Sequence, residues 1–235
     1  AATWGLVLTG KLVKVHHHEQ AGFGAALSRL LERSGEPVIR KGIDAAMRML
    51  GKQFVTGETI DAALLESRKR ENKGYRYSYD MLGEAAVGHA DAERYFKAYH
   101  AAIMAIGEAH RGQGIYRGAG ISVKLSALHP RYERAQHAQV MAELLPRVKG
   151  LLLLAKQHDL GFAIDAEESD RLELSLDIFE QLALDPCFSG WNGLGIVVQA
   201  YQKRAWFILD WLIQLGRYTN HRWMIRLVKG AYWDS

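Results

Sequence analysis

Cysteine occurs once in 235 residues, so no disulfide can close within this chain, and a reducing, cytoplasmic compartment is the expectation. The single thiol, in Asp185-Pro186-Cys187-Phe188, has no general base beside it and is expected to be buried and structural. No run of about eighteen uncharged apolar residues exists, which excludes a hydrophobic membrane-spanning helix. Ala1 to Lys14 is apolar but has no basic leader and no small-residue cleavage site, so it reads as a buried helix and not a signal peptide. Charge of one sign is also lacking. The net charge is +4, with bases and acids interleaved as in Glu66-Ser67-Arg68-Lys69-Arg70-Glu71, the pattern of solvated helix faces. His16, His17 and His18 stand without a second ligand cluster and read as a polar loop.

What is present falls into two regimes. Residues 1–55 carry helical spacing only, with Leu27, Leu30 and Leu31 on one face and Ile43, Met47 and Leu50 on another, separated by Gly35-Glu36-Pro37. From residue 56 onward helices and strands alternate. Helices are expected over about 58–72, 91–110, 136–157, from a Ser169 N-cap onward, and over about 203–215. Strands are expected at Tyr75 to Leu82, Ile121 to Ser126, Phe162 to Glu167, Gly195 to Tyr201 and Trp223 to Val228. Such alternation predicts an α/β fold with parallel strands joined by crossover helices. No Rossmann-type glycine fingerprint follows the first strand, which favours a (β/α)8 TIM-type barrel over an open doubly wound sheet. A closed barrel has eight strands; about five βα units are legible, so the barrel is expected to be incomplete here.

Each expected strand stays apolar until a polar residue near its C-terminal end: Asp80 with Glu84 beyond it, Lys124, Asp165 with Glu167 and Glu168, Gln199, and Arg226 with Lys229. In parallel α/β folds that end of the sheet is where ligands bind. Taken alone, an Asp80 or a Glu168 could be a helix cap or a rim ion pair. A lysine within a strand buried on both faces needs a partner, and Asp80 or Asp165 on the neighbouring strands is the candidate. Three carboxylates (Asp165, Glu167 and Glu168) suit a divalent metal, but Lys124 and Arg226 beside them would repel one. The mixed charge suits an anionic, zwitterionic or phosphate-bearing ligand. Lys229-Gly230 would let backbone N–H groups approach a phosphate, and Tyr232 and Trp233 offer flat surfaces to an aromatic ring.

The runs Tyr75 to Glu84, Val123 to Tyr132, Ile164 to Glu168, Gln199 to Arg204 and Arg226 to Asp234 resemble, in order, the proline dehydrogenase domain of the bacterial proline utilization A proteins. Residues 1–55 resemble the helical region that precedes that domain's barrel. The resemblance implies FAD bound at the strand C-termini and oxidation of L-proline to pyrroline-5-carboxylate by hydride transfer to the flavin N5. Electrons would then pass to a membrane quinone, so peripheral membrane association follows for the parent protein. On matching motifs, Asp165, Gln199, Arg226, Val228, Lys229, Gly230, Ala231, Tyr232 and Trp233 would contact FAD. Asp80, Lys124 and Tyr232 would form the proline side, with Lys124, Asp80 and Arg226 the catalytic group and Lys124 paired to Asp80.

The family's remaining grip on the substrate, a pair of arginines and a glutamate on the last barrel helix with a further tyrosine and histidine, has no counterpart here. This chain alone is therefore expected to bind proline poorly. The ribbon-helix-helix DNA-binding module and the aldehyde dehydrogenase domain of some members are likewise expected to lie outside it. Two other readings stand beside this one: a metal-dependent lyase or aldolase barrel built on Asp165, Glu167 and Glu168, and a non-catalytic piece of an assembly.

Overall fold

The computed structural model describes residues 55–71 and 74–231, together with positions 43, 44, 47 and 51. It divides into Ala1–Glu58 and Thr59–Ser235. In the first unit Ile43, Asp44, Met47 and Gly51 are helical, and Met47 is exposed. The expected helix at the start, the Leu27, Leu30 and Leu31 face and the histidine run lie outside the described residues.

The second unit alternates as the hydrophobic pattern requires. Its elements are α1 (Ile60–Glu71), β1 (Ser78–Asp80), α2 (His89–Ala109), a short helix α3 (Gly114–Arg117) and β2 (Gly120–Val123). They continue with α4 (His137–Gln157), β3 (Gly161–Ile164), α5 (Leu172–Leu184), β4 (Leu194–Gln199), α6 (Ala205–Thr219) and β5 (Met224–Val228). All five strands are parallel and lie in sequence order, β1 to β5. A doubly wound sheet reverses its strand order at a switch point. Here every crossover adds its strand on the same side, which is the winding of a barrel, and the five strands form an open sheet. A helix interior that buries one stripe explains the covering layer: α4 buries Val140, Leu144, Val148, Leu151, Leu152 and Ala155 at three- and four-residue spacing. Arg147 ties α4 to α2, bonding Ala92 O and Glu93 at 3.1 Å each with its guanidinium over the Phe96 ring. Asn220, left-handed at φ 55°, ends α6 by donating its N–H to Gly216 O.

Register decides which face each strand residue takes, because paired residues in a parallel sheet point the same way and neighbours alternate. One face carries Tyr79, Ile121, Val123, Phe162, Ile164, Leu194, Ile196 and Val198, all buried in the core beneath the helices. The opposite face carries Asp80, Ser122, Ala163, Gly195, Val197, Gln199, Met224, Arg226 and Val228. Gly161 and Gly195 are required on it for steric reasons. A Cβ on Gly161 would meet Met224 Cε at 2.6 Å, and one on Gly195 would meet Met224 O at 2.4 Å.

Several strands are shorter than their apolar runs suggest. β1 keeps only Ser78–Asp80 of the run from Tyr75 to Leu82, and β2 ends at Val123, where a 3-10 turn (Leu125–Ala127) takes over. Lys124 therefore sits just past its strand, not within it. Interior strand β4 is buried along its whole length, whereas the edge strand β5 is half-buried or exposed throughout, so burial on both faces holds inside the sheet and fails at that edge. Ser169 does not cap α5: it opens a 3-10 turn (Ser169–Arg171) that leads into the helix, with Arg171 in the cap position. Cys187 is exposed rather than buried. Asp185 caps the Pro186–Phe188 turn through Cys187 N at 2.9 Å, and Phe188 takes the inward place.

Candidate active site

Where β1, β2 and β3 end, three charged side chains meet. Lys124 Nζ donates to Asp80 Oδ1 at 2.5 Å and to Asp165 Oδ2 at 3.2 Å, so both sequence-predicted partners are engaged at once. Asp165 also accepts from Arg226 Nη2, reaching across from β5, while Arg226 Nη1 donates to Ser122 Oγ at 3.1 Å. Ser78 Oγ lies 3.4 Å from Ser122 Oγ. The register explains the reach: Ile164 pairs with Ile196 and Val197 with Arg226, so Asp165, one residue past Ile164, falls level with Val197 and Arg226.

Burial grades this network. The Lys124 and Asp165 side chains are 14% and 9% exposed, but Asp80 is 53% and Arg226 43% exposed, so its centre is dry and its two ends face outward. Burial works against charge on Lys124, but the Asp80 hydrogen bond and the nearby Asp165 outweigh it and hold the ammonium above the usual lysine range. Burial raises the Asp165 carboxyl above its ordinary value, with Lys124 and Arg226 pulling the other way. A lysine held this firmly protonated is an electrostatic and orienting group, unsuited to accept a proton near neutral pH.

The five rim loops are also joined to each other. Ser126 N donates to Glu167 Oε1 at 3.1 Å, and Ser126 Oγ accepts from Ala85 N at 2.9 Å. Gln199 Nε2 donates to Glu167 O at 2.8 Å, and Gln199 Oε1 accepts from Ala231 N at 3.0 Å. A line of hydrogen bonds therefore runs from the loop after β1 to the loop after β5. Burial foremost pushes the Glu167 carboxyl above its ordinary value, opposed by the Ser126 bond. Arg171 sits 3.3 Å from Glu167 and 3.0 Å from Glu168. Asp165 turns to Lys124 and Arg226 while Glu167 and Glu168 share Arg171, and no three carboxylates among the described residues converge on one point, which removes the geometric basis for the metal-lyase reading. Ser126→Ala is expected to destabilise the protein by about 1 kcal/mol and to speed hydrogen exchange at the Ala85 amide, with unchanged exchange there counting against the link.

Beyond β5, Lys229 is exposed and Gly230 adopts φ 112°. A side chain at Gly230 would strike Tyr201 Cδ1 at 2.2 Å. Val228 O and Lys229 O accept from Ala200 N and Tyr201 N at 2.8 and 3.1 Å, binding this loop to the end of β4. Of the expected site residues, Asp80, Lys124, Asp165, Gln199, Arg226 and Val228 share one face or rim, with Lys229, Gly230 and Ala231 on the adjoining loop. Tyr232 and Trp233 lie outside the described residues. Ser122 and Tyr99, whose hydroxyl accepts from Lys124 N at 3.2 Å, were missed. Ser122 stands two residues before Lys124, the strand spacing of a shared face, but Tyr99, on α2, gives no local signal.

A family model described as "Proline dehydrogenase" matches residues 63–235. The chain belongs to the proline dehydrogenase family. It is 61% identical over 235 residues to the bifunctional protein PutA of Escherichia coli, all of this chain against 18% of that one. Proline dehydrogenase 1 of Bacillus subtilis is 29% identical over 189 residues, 80% of this chain and 54% of that one. The chain thus spans about a fifth of the PutA length it matches. Among solved structures, a PutA with proline bound in remote sites shares 51% identity at TM-score 0.73 over 87% of this chain and 21% of its own. The PutA of Bdellovibrio bacteriovorus, inactivated by N-propargylglycine, shares 25% identity at TM-score 0.77 over 83% of this chain and 22% of its own. The parallel sheet and its helices therefore have the fold of family structures.

Residues 1–54 match a second family model, described as "DNA-binding domain of Proline dehydrogenase". This amends the expectation that any DNA-binding module lies outside the chain. That segment holds eight Lys/Arg against four Asp/Glu, so the whole net charge of +4 resides there and the remaining residues balance.

Proposed function

We propose that this chain contributes the β1 to β5 side of a site that oxidises L-proline to pyrroline-5-carboxylate, with FAD as the hydride acceptor. The observation that carries the reading is Lys124 bridged between Asp80 and Asp165, with Arg226 on the far side of Asp165, at the strand C-termini of a proline dehydrogenase sheet. The residues fit the cofactor chemically. Arg226 and Lys229 are exposed cations on one rim, and Gly230 holds a conformation and a closeness to Tyr201 that bar a side chain, the features expected where an anionic dinucleotide approaches backbone.

Asp165, Gln199, Arg226, Val228, Lys229, Gly230 and Ala231 would hold FAD, joined by Tyr232 and Trp233. When bound, FAD supplies the two-electron acceptor for a hydride leaving the ring carbon next to nitrogen. The remaining work belongs to this chain's side chains. Arg226, anchored by Asp165 and Ser122, places a fixed positive charge on the rim. Lys124 stays protonated, balances the charge of the two carboxylates together with Arg226 and orients Asp80, whose outward end meets solvent and is suited to a cationic ring nitrogen. Transfer of the electrons to a quinone, association of the parent protein with a membrane surface and an aldehyde dehydrogenase domain elsewhere in the parent belong to the same proposal.

The test uses the intact, FAD-loaded parent protein. L-proline should bleach the flavin absorbance without oxygen, and a quinone should restore it. A protein that retains flavin whose spectrum proline leaves untouched would sink the reading.

A further inference from the structure

Lys124 is held by its backbone as well as by its charge. At the end of β2 the ladder continues on one side only, where Asp165 N donates to Val123 O at 3.0 Å. The N–H of Lys124 instead donates to the phenolic oxygen of Tyr99 at 3.2 Å. On its other side, Lys124 O accepts from Ala127 N at 3.2 Å and opens the 3-10 turn. The Tyr99 hydroxyl thus fixes the residue at which strand becomes turn, 25 positions away in sequence. Tyr99 is 1% exposed on α2 among Ala102, Ile103 and Ile106. Packing alone would be met by phenylalanine, and a buried hydroxyl is costly unless it is bonded.

We propose that Tyr99 is a positioning residue for Lys124: its hydroxyl sets the backbone from which the ammonium reaches both Asp80 and Asp165. Burial raises the Tyr99 phenol to about 12, so it remains a neutral hydroxyl at any working pH. Its effect on turnover rests on the proline-oxidising reading above, while its effect on Lys124 does not.

In the intact, FAD-loaded protein, Tyr99→Phe removes one oxygen and keeps the ring. Acylation of Lys124 by an amine-directed reagent, read by peptide mass spectrometry, should accelerate about tenfold once the ammonium is displaced from its two carboxylates. Labelling of Lys156, which donates to Cys187 O on a distant surface, should not change. In the same variant KM for proline should rise several-fold with kcat nearly kept. Acceleration at Lys124 alone supports the assignment, even if neither form oxidises proline, a result that would instead overturn the proposed function. Equal acceleration at both lysines, or none at Lys124, overturns the positioning role. Should the variant fail to fold, hydrogen exchange in the unaltered protein decides: a Lys124 amide exchanging at the unprotected rate overturns it, and a protected one supports it.

Discussion

Lys124→Met is expected to lower proline-dependent flavin reduction by about a hundredfold or more while the protein still folds. Methionine keeps the length of the stem but removes the cation between two carboxylates, one of them 9% exposed. Asp165 would retain Arg226, but Asp80 would lose its only ion-pair partner among the described residues. Breaking a buried ion pair from one side costs about 3–5 kcal/mol; since Asp80 is half in water, the lower end of about 3 kcal/mol is expected in urea unfolding.

The pH dependence of that loss has a sign. The Asp165 carboxyl already titrates above its ordinary value in the folded protein, and Lys124 is one of the groups holding it down. Without Lys124 it rises further. A carboxyl raised on folding contributes stability that is present below its unfolded value and is lost as pH climbs through the folded one. The variant should therefore recover part of its deficit at mildly acidic pH and show its full deficit at neutral pH. The unaltered Lys124 is itself raised, so its own contribution is kept through neutral pH and disappears only in strong alkali. A deficit that deepened on acidification would contradict the Lys124–Asp165 arrangement.

Gly230→Ala is expected to weaken FAD retention at least about tenfold while leaving the sheet intact. Two independent penalties act at this position. The residue stands at φ 112°, where an L side chain is strained by about 1–3 kcal/mol. The added Cβ would also lie 2.2 Å from Tyr201 Cδ1 and 3.1 Å from Gln199 Oε1. Relief requires the loop to move off the end of β4, which would break the Ala231 N–Gln199 bond and displace Lys229 with it. Equilibrium titration of the apoprotein with FAD measures the effect. Unchanged affinity, with circular dichroism confirming the fold, would remove the Lys229–Ala231 segment from the cofactor site.

Much of this was legible in the chain because the relevant physics is local. Periods of two and of three to four residues gave the order of strands and helices, since each element must bury one face. Polar residues at successive strand ends marked the rim, because the interior of such a strand leaves them no other place. That a buried lysine must find a carboxylate named Asp80 and Asp165 in advance, although it left open which.

Other features depend on distances between remote segments, and no local pattern carries those. Lys124 takes both carboxylates because the strand order sets β1 and β3 on either side of β2. Arg226 reaches Ser122, 104 residues away, only through the register of β3, β4 and β5. Tyr99 reads as a core aromatic until α2 sets its hydroxyl against the end of β2. Cys187 was misjudged because a sparse apolar neighbour such as Phe188 signals burial without saying which of two adjacent side chains turns inward. Composition and spacing thus determined the elements, their order and the chemistry on the rim. The tertiary structure alone decided which charges meet and what fixes them, because pairing depends on strand order and register, which are properties of the assembled sheet.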